Sequence, residues 1–170
     1  MSISLKRLEI DDILLLVDKP SFLNFNASAA YFEKLLESQQ KGEIVFIIAR
    51  YERKIVGFLY VQWQSEYPPF LEMGIPDIKD LRVLPEYRRK GVATTLMDEA
   101  EKIMFERSPV IGLGVGLYAD YGPAQRMYMK RGYALDGRGL MYKEQPVKPG
   151  TSVFVDDELV IYLVKGRPTS

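Results

Sequence analysis

Apolar and polar residues recur with two different periods along the chain, and the period of each stretch predicts its secondary structure. Residues 3–8 alternate between apolar and polar side chains, as a half-buried strand does. Residues 44–51 and 54–63 are rich in β-branched and aromatic side chains and are separated by two residues, which predicts a hairpin. Further strands are predicted at residues 77–84, 110–117 and 158–164, with a glycine-rich hairpin after residue 130.

Other stretches carry apolar residues every three to four positions, which is the spacing of an amphipathic helix. The strongest pattern runs from residue 91 to 107, with an apolar stripe and charged residues opposite it. Helices are also predicted at residues 28–40 and 121–130, and Asp11 and Asp12 precede a short helix that starts at Ile13 and stops near Pro20. This order of elements indicates one mixed α/β domain over residues 1–170, with a largely antiparallel sheet.

The composition is that of a globular protein without net charge. Hydrophobic residues make up 47% of the chain and charged residues 27%. Lysine and arginine together number 23, as do aspartate and glutamate, so no nucleic-acid partner is expected. No apolar run reaches the roughly 18–20 residues that span a bilayer, and the start of the chain lacks the apolar stretch of a signal peptide. We therefore expect a cytoplasmic protein that does not enter membranes.

The chain contains neither cysteine nor histidine. Thiolate nucleophiles, histidine-based triads and metal sites with Cys or His ligands are therefore excluded. Acid–base chemistry must fall to aspartate, glutamate, tyrosine, lysine, a chain terminus or bound water. We expect no metal cofactor.

A strand, a basic loop and the strongest helix follow one another between residues 81 and 96. The first amides of a helix lack intrahelical partners and carry the positive end of the helix dipole, so they can bind phosphate. Arg88, Arg89 and Lys90 add positive charge beside Gly91, whose missing side chain allows an anion to approach closely. The alternative is a solvated basic turn before an ordinary core helix.

Residues 88–93, RRKGVA, resemble the Arg/Gln-x-x-Gly-x-Gly/Ala motif of the GNAT acetyltransferases, which holds the pyrophosphate of coenzyme A. The resemblance implies the GNAT N-acyltransferase fold, with a mixed, mostly antiparallel central sheet flanked by helices. It implies that backbone amides near residues 81–83 polarise the thioester carbonyl. It also implies a set of cofactor-binding residues in and before this loop. They are Leu81, Arg82, Val83, Arg88, Arg89, Lys90, Gly91, Val92, Ala93 and Thr94.

A second motif, AQRMYMKRGY at residues 124–133, is similar to the later GNAT signature Ala-x-x-x-Tyr-x-x-x-Gly-Phe/Tyr. By this resemblance Tyr128 lies near the sulfur of coenzyme A and protonates the leaving thiolate, a role that a phenol can fill. The alternative is a core aromatic that packs with Ala124 and Met127. The family often has an asparagine three residues before the motif's alanine. This chain has Tyr121 there, which is expected to stack against or hydrogen-bond the cofactor instead.

The general base is also assigned by resemblance. Asp77 lies six residues before Val83, at the offset of a glutamate base in the histone-acetylating branch of the superfamily. Glu72 and Asp80 are alternatives, as are a water chain and a structural role for all three acids.

Two further features leave alternatives open. Glycines 112, 114 and 116 leave one face of the predicted strand at 110–117 without side chains. We favour close packing of a helix there, and the alternative is the pantetheine arm, which in this family lies between two splayed central strands. Aromatic residues cluster at 22–26 and 63–70. They suit either a wall for a cationic acceptor or packing in the core or a dimer contact.

The resemblance implies transfer of an acetyl group from acetyl-CoA, as co-substrate, to a primary amine. Direct attack is expected, because no Ser, Cys or His relay supports a covalent intermediate. The alternative is a module that binds acyl-CoA without turnover. The expected partners are acetyl-CoA and an amine acceptor, and a homodimer is left open.

Overall fold

The computed structural model describes residues 1–18 and 28–169. Within them are five α-helices and eight strands, and the pairs of strands are mostly antiparallel. The helices are α1 (Ile10–Val17), α2 (Ala29–Gln40), α3 (Pro68–Met73), α4 (Val92–Phe105) and α5 (Gly122–Lys130). The strands are β1 (Ile3–Arg7), β2 (Ile44–Tyr51), β3 (Lys54–Gln62), β4 (Asp77–Val83), β5 (Val110–Gly116), β6 (Ala134–Tyr142), β7 (Gln145–Pro146) and β8 (Leu159–Gly166). The mixed α/β class predicted from the sequence is confirmed.

The chain divides into two compact units, Met1–Trp63 with Ile78–Met104 and Gln64–Asp77 with Phe105–Ser170. The strands of the first unit follow the order β1-β2-β3-β4, and β2 pairs antiparallel with both β1 and β3. Its core is aromatic: the Phe32 ring of α2 lies edge-on to Phe58 of β3 at 5.8 Å, and Phe58 stacks on Phe46 of β2 at 5.2 Å. This packing fixes α2 against the sheet, because buried aromatic rings contribute large apolar area.

The second unit has the strand order β5-β8-β6-β7. Strand β8 pairs antiparallel with β5 on one side and with β6 on the other. Its core contains Tyr67, which stacks on Tyr162 of β8 with ring centroids 3.7 Å apart, and Phe70 of α3, edge-on to Tyr162 at 5.3 Å. The hairpin between β6 and β7 turns at Lys143 and Glu144, both with positive φ.

Two local expectations change. Helix α1 starts at Ile10, and the backbone N–H of Glu9 donates to Asp12 Oδ2 at 2.9 Å, so Asp12 caps the helix from inside its first turn. The predicted start at Ile13 was therefore wrong, and the predicted stop near Pro20 lies outside the described residues. Helix α3 was not predicted, although a proline suits the first position of a helix because its missing N–H is not needed there.

Within the described part of the chain, no helix has the length and apolar character needed to cross a membrane. The assignment of residues 1–170 to a single domain stays a prediction.

Candidate active site

The basic loop of the first unit leads from β4 into α4, as the sequence predicts. A 3-10 turn at Pro85–Tyr87 follows the strand, and α4 begins at Val92. The carbonyl oxygen of Gly91 accepts from the backbone N–H of Thr95 at 2.9 Å and from its hydroxyl at 3.0 Å, so Gly91 lies directly before the first helical turn. The amides of that first turn have no intrahelical acceptor.

Gly91 is required by its backbone conformation and not by a lack of space. Its φ of +83° lies in the left-handed region, where a side chain is strained, and a Cβ built there meets no other atom within 4 Å. Arg89 also has a positive φ, +59°. The backbone therefore turns sharply before the helix and leaves open space over Gly91.

Three cations surround this turn. Arg88, Arg89 and Lys90 are exposed, and none of them forms an ion pair with any residue of 1–18 or 28–169. Arg88 Nε makes a long contact of 3.4 Å to the carbonyl of Val83, and Lys90 Nζ lies 5.4 Å from the centroid of the Tyr87 ring. The positive charges and the helix dipole therefore reinforce each other at one place, which is what an anion site requires.

Gly57 of β3 packs against both ends of this loop, and no sequence pattern predicts this role. A Cβ at Gly57 would lie 2.7 Å from the carbonyl oxygen of Arg82 and 3.0 Å from Val92 Cγ1. The absence of a side chain at Gly57 therefore lets the end of β4 and the start of α4 approach β3. The position of the loop depends on this close contact.

The strand that precedes the loop has an irregular backbone at Asp80. Its φ is +53°, inside β4, a conformation that few residues other than glycine and the short polar residues adopt. The hydroxyl of Tyr31 from α2 donates to the Asp80 carboxylate. Burial, followed by the charge of Asp80, raises the pKa of Tyr31, so this donor stays protonated. The next three residues are half-buried, and cofactor contacts are predicted for them. They are Leu81, Arg82 and Val83.

In the second unit, Tyr128 is the one residue of α5 that is buried, with 6% of its surface exposed. Its ring lies edge-on to Tyr133 at 5.9 Å. Desolvation raises the pKa of Tyr128 to about 12, because burial disfavours the phenolate. The phenol is therefore fully protonated at neutral pH, whether its role is catalysis or packing.

Gly112 and Gly116 of β5 are covered by aromatic rings. A Cβ at Gly112 would lie 2.2 Å from the Phe70 ring, and one at Gly116 would lie 2.3 Å from the Tyr121 ring. Close packing is therefore the role of these two positions, although the contacts come from individual rings rather than from a whole helix face. Gly114, between them, is exposed, and a pantetheine contact there stays a prediction.

Tyr121 is held in place by two contacts in its own unit. Its ring covers Gly116, and its hydroxyl donates to Asp157 Oδ1 at 2.7 Å. Tyr118 donates to the same carboxylate and lies edge-on to the Tyr121 ring at 5.0 Å. The expected cofactor contact of Tyr121 stays a prediction.

The acids considered as general base have different environments. Asp77 is 1% exposed, and its Oδ2 accepts from Ser65 Oγ at 2.9 Å. Ser65 Oγ in turn accepts from the backbone N–H of Tyr67 at 3.1 Å, so these contacts hold the loop before α3. Glu72 is exposed on α3. Ser65 was not anticipated, since an isolated serine in a loop carries no pattern.

The aromatic clusters have separate outcomes. Tyr67 and Phe70 lie in the core of the second unit, as the packing alternative predicts. The hydroxyl of Tyr67 donates to Asp136 Oδ2 at 2.8 Å, and burial raises its pKa. Residues 22–26 lie outside the described part of the chain.

The sequence matches the model of the acetyltransferase (GNAT) family over residues 13–133. This range holds both the loop at 88–93 and the motif at 124–133. The chain therefore belongs to the GNAT acetyltransferase family, and this membership implies acyltransferase activity. No curated protein matches the sequence significantly.

Solved structures share the fold at low sequence identity. Ard1 from Thermoplasma volcanium matches with a TM-score of 0.73 and 17% identity, over 99% of this chain and 100% of that one. PaiA N-acetyltransferase from Thermoplasma acidophilum, solved with coenzyme A, gives 0.67 and 18% over 98% and 100% of the two chains. NAA60 from Arabidopsis thaliana, solved with acetyl-CoA, gives 0.69 and 17% over 97% and 98%. These matches establish the GNAT fold for this chain.

Proposed function

We propose that this chain is an N-acetyltransferase that moves the acetyl group of acetyl-CoA to a primary amine by direct attack. The observation that carries the proposal is the start of α4, where three cations that form no ion pair within the described residues lie beside the amides of the first helical turn. This combination binds phosphate groups. Coenzyme A carries a pyrophosphate, and two of the matched structures hold coenzyme A or acetyl-CoA.

In this proposal the loop residues have distinct roles. Arg88, Arg89 and Lys90 neutralise the pyrophosphate charge, and the open space over Gly91 admits the anion to the backbone. Amides near Leu81 to Val83 polarise the thioester carbonyl, and Tyr121 contacts the cofactor. The amides that would face the pyrophosphate belong to Val92, Ala93 and Thr94.

The proposed reaction needs one proton acceptor and one proton donor. The neutral amine nitrogen attacks the carbonyl carbon, a C–N bond forms and the C–S bond breaks. Tyr128 gives its phenolic proton to the departing sulfur and regains a proton from water. The products are an amide and one free thiol for each acetyl-CoA consumed.

We propose Asp77 as the acceptor of the amine proton, directly or through water. Its carboxylate is buried, and its Oδ2 accepts from Ser65 Oγ at 2.9 Å, so the acid is held in a fixed position at the start of β4. Asp80 is the second choice, because its carboxylate already accepts from Tyr31.

The experiment that tests the proposal is a panel of amines assayed with acetyl-CoA, with free thiol as the readout. The protein contains no cysteine and so contributes no background. We expect thiol release that depends on the amine, with acetylated acceptor found by mass spectrometry. A reaction without amine controls for hydrolysis.

Binding and turnover are measured separately, so that the two functions can be told apart. Acetyl-CoA binding without thiol release for any amine would favour a module that only senses acyl-CoA. If acetyl-CoA fails to raise the melting temperature, neither function stands, since a ligand that binds only the folded state must stabilise it.

A further inference from the structure

The second unit has an open apolar groove that the proposed function does not use. Its volume is about 560 Å³, and it is lined by residues of α5, β5, β6 and β8, among them Val115, Met129, Leu135 and Ile161. Met129 and Leu135 are 48% and 55% exposed. Solvent therefore reaches apolar side chains on both walls, an arrangement that marks an interaction surface.

The rim of this groove is positively charged. Arg126 and Lys130 lie one turn apart on α5 and line the groove. Within residues 1–18 and 28–169, neither takes part in an ion pair. The groove thus combines an apolar floor with two cations and favours an occupant that is apolar and acidic.

The loop before β8 has this combination on its own surface. Phe154 and Val155 are 78% and 68% exposed, and three acidic residues follow at 156–158. Neither Phe154 nor Val155 lines the groove of its own chain. The loop therefore presents two apolar side chains next to three carboxylates.

The acidic end of this loop is fixed by hydrogen bonds. Asp156 Oδ2 accepts from the Tyr142 hydroxyl at 2.9 Å, and Asp157 Oδ1 accepts from the Tyr121 hydroxyl at 2.7 Å. Asp156 and Glu158 form no ion pair with any residue of 1–18 or 28–169, so these two carboxylates keep their negative charge. A segment held in this way loses little conformational freedom when it binds a partner.

We propose that the groove is filled by the loop of a second copy of this chain. Phe154 and Val155 of one copy insert between α5 and the sheet of the other, and the carboxylates of residues 156–158 face Arg126 and Lys130. The groove and the loop lie on the same unit, so the exchange can be made twice in a dimer with two-fold symmetry. A small-molecule site is a weaker interpretation, because such sites bury most of their ligand and this groove is open.

The test is sedimentation velocity of the whole chain over a series of concentrations. We expect the wild type to dimerise. Phe154→Asp and Met129→Glu, one on each side of the contact, should each weaken the dimer at least tenfold. Leu71→Asp is the matched control, because it adds the same charge at another exposed apolar residue of this unit, on α3, and it should leave dimerisation unchanged.

A charge exchange then tests the contact itself. Arg126→Glu and Glu158→Lys should each weaken the dimer, and the double variant should recover most of the loss, since each charge again faces its opposite. All these positions are exposed, so folding is preserved, and circular dichroism checks this. A wild type that stays monomeric, or a dimer unaffected by Phe154→Asp and Met129→Glu, would overturn the proposal. In the first case, the groove takes another occupant.

Discussion

Tyr128 is a buried phenol whose hydroxyl can be removed without changing the shape of its ring. If it protonates the leaving sulfur, Tyr128→Phe should lower turnover by about 10²–10⁴-fold, the usual contribution of a positioned acid. Acetyl-CoA affinity and thermal stability should change little. The measurements are turnover with a working amine, ligand affinity and melting temperature.

The matched control for Tyr128 is Tyr133→Phe. Tyr133 is the neighbouring buried ring, and the family motif itself accepts phenylalanine there. It should keep near-normal turnover. If Tyr128→Phe also stays within about threefold of the wild type, the tyrosine serves packing and another group protonates the sulfur.

The raised pKa of Tyr128 also predicts how stability depends on pH. An unfolded tyrosine loses its proton near pH 10, whereas the folded one does so at about 12. The neutral form thus stabilises the fold fully below pH 10, and this contribution is lost as pH rises from 10 to 12. The loss is about 1.4 kcal/mol per pH unit over that window.

In denaturant unfolding at about pH 9, 10 and 11, the free energy of unfolding should therefore decline more steeply with pH for the wild type than for Tyr128→Phe. The other tyrosines contribute equally to both proteins and cancel in the difference. Parallel declines would mean that Tyr128 titrates normally.

Asp77 is the residue whose structural and catalytic roles are hardest to separate. Asp77→Asn keeps an oxygen for Ser65 but removes the base, so turnover at neutral pH should fall by about 10²-fold. Activity should recover as pH rises towards the pKa of the amine, because solvent then deprotonates the ammonium form and hydroxide can take the amine proton in place of Asp77. Ser65→Ala is the control: it removes the hydrogen bond and leaves the carboxylate. If Asp77→Asn costs stability alone, Asp80 or water is the base.

At the scale of elements, the first turn of α4 can be tested by a single negative charge. Ala93→Glu places a carboxylate at the second helical position. There its negative charge interacts favourably with the helix dipole but repels a bound phosphate. We expect the melting-temperature shift caused by acetyl-CoA to disappear while the unliganded protein stays folded. Gly91 is less suitable for this test, because any side chain is strained at its φ of +83°.

The control for Ala93→Glu lies on another helix. Ala30→Glu makes the same change at the second position of α2, where Ala30 is exposed. Its acetyl-CoA shift should equal that of the wild type. Equal melting-temperature shifts in all three proteins would show that the start of α4 does not bind acetyl-CoA.

The packing of β3 under this loop makes a second prediction for elements. Gly57→Ala puts a methyl group 2.7 Å from the carbonyl oxygen of Arg82, a backbone atom that cannot rotate away. We expect destabilisation of about 1–3 kcal/mol, typical of overpacking, and weaker acetyl-CoA binding. Both are measured by unfolding with and without ligand.

The control for Gly57→Ala is Gly166→Ala, because a Cβ at Gly166 meets nothing within 4 Å and the change should leave stability unaltered. Gly42→Ala is a poor control because Gly42 has a positive φ. If Gly57→Ala leaves stability unchanged, β4 can shift away from β3 to accommodate the methyl group, and the close contact is not required.

At the scale of the whole molecule, the sequence predicted the elements better than the contacts between them. Periodicity located β2, β3, α4 and β5 to within one or two residues, because each buries a regular face. Helix α3 was missed because it is short and starts at prolines. The motif at 88–93 was visible because its residues are adjacent and chemically distinct.

The remaining parts of the candidate site depend on contacts that no local pattern encodes. Gly57 and Ser65 act through residues 25 and 12 positions away in sequence. The left-handed backbone of Asp80 has no signature either, since aspartate is common in strand ends and turns. Long-range contacts of this kind are set by tertiary packing, which overrides local preference.

The ring of Phe70 over Gly112 has a consequence for how this protein can diverge. The ring occupies the space where a side chain at position 112 would lie, so the two positions share one volume and cannot enlarge independently. A lineage that gains alanine or serine at 112 must first or simultaneously shrink residue 70. We therefore expect the two positions to change together among close relatives, and the order of the changes to be constrained, with the smaller residue at 70 arriving first.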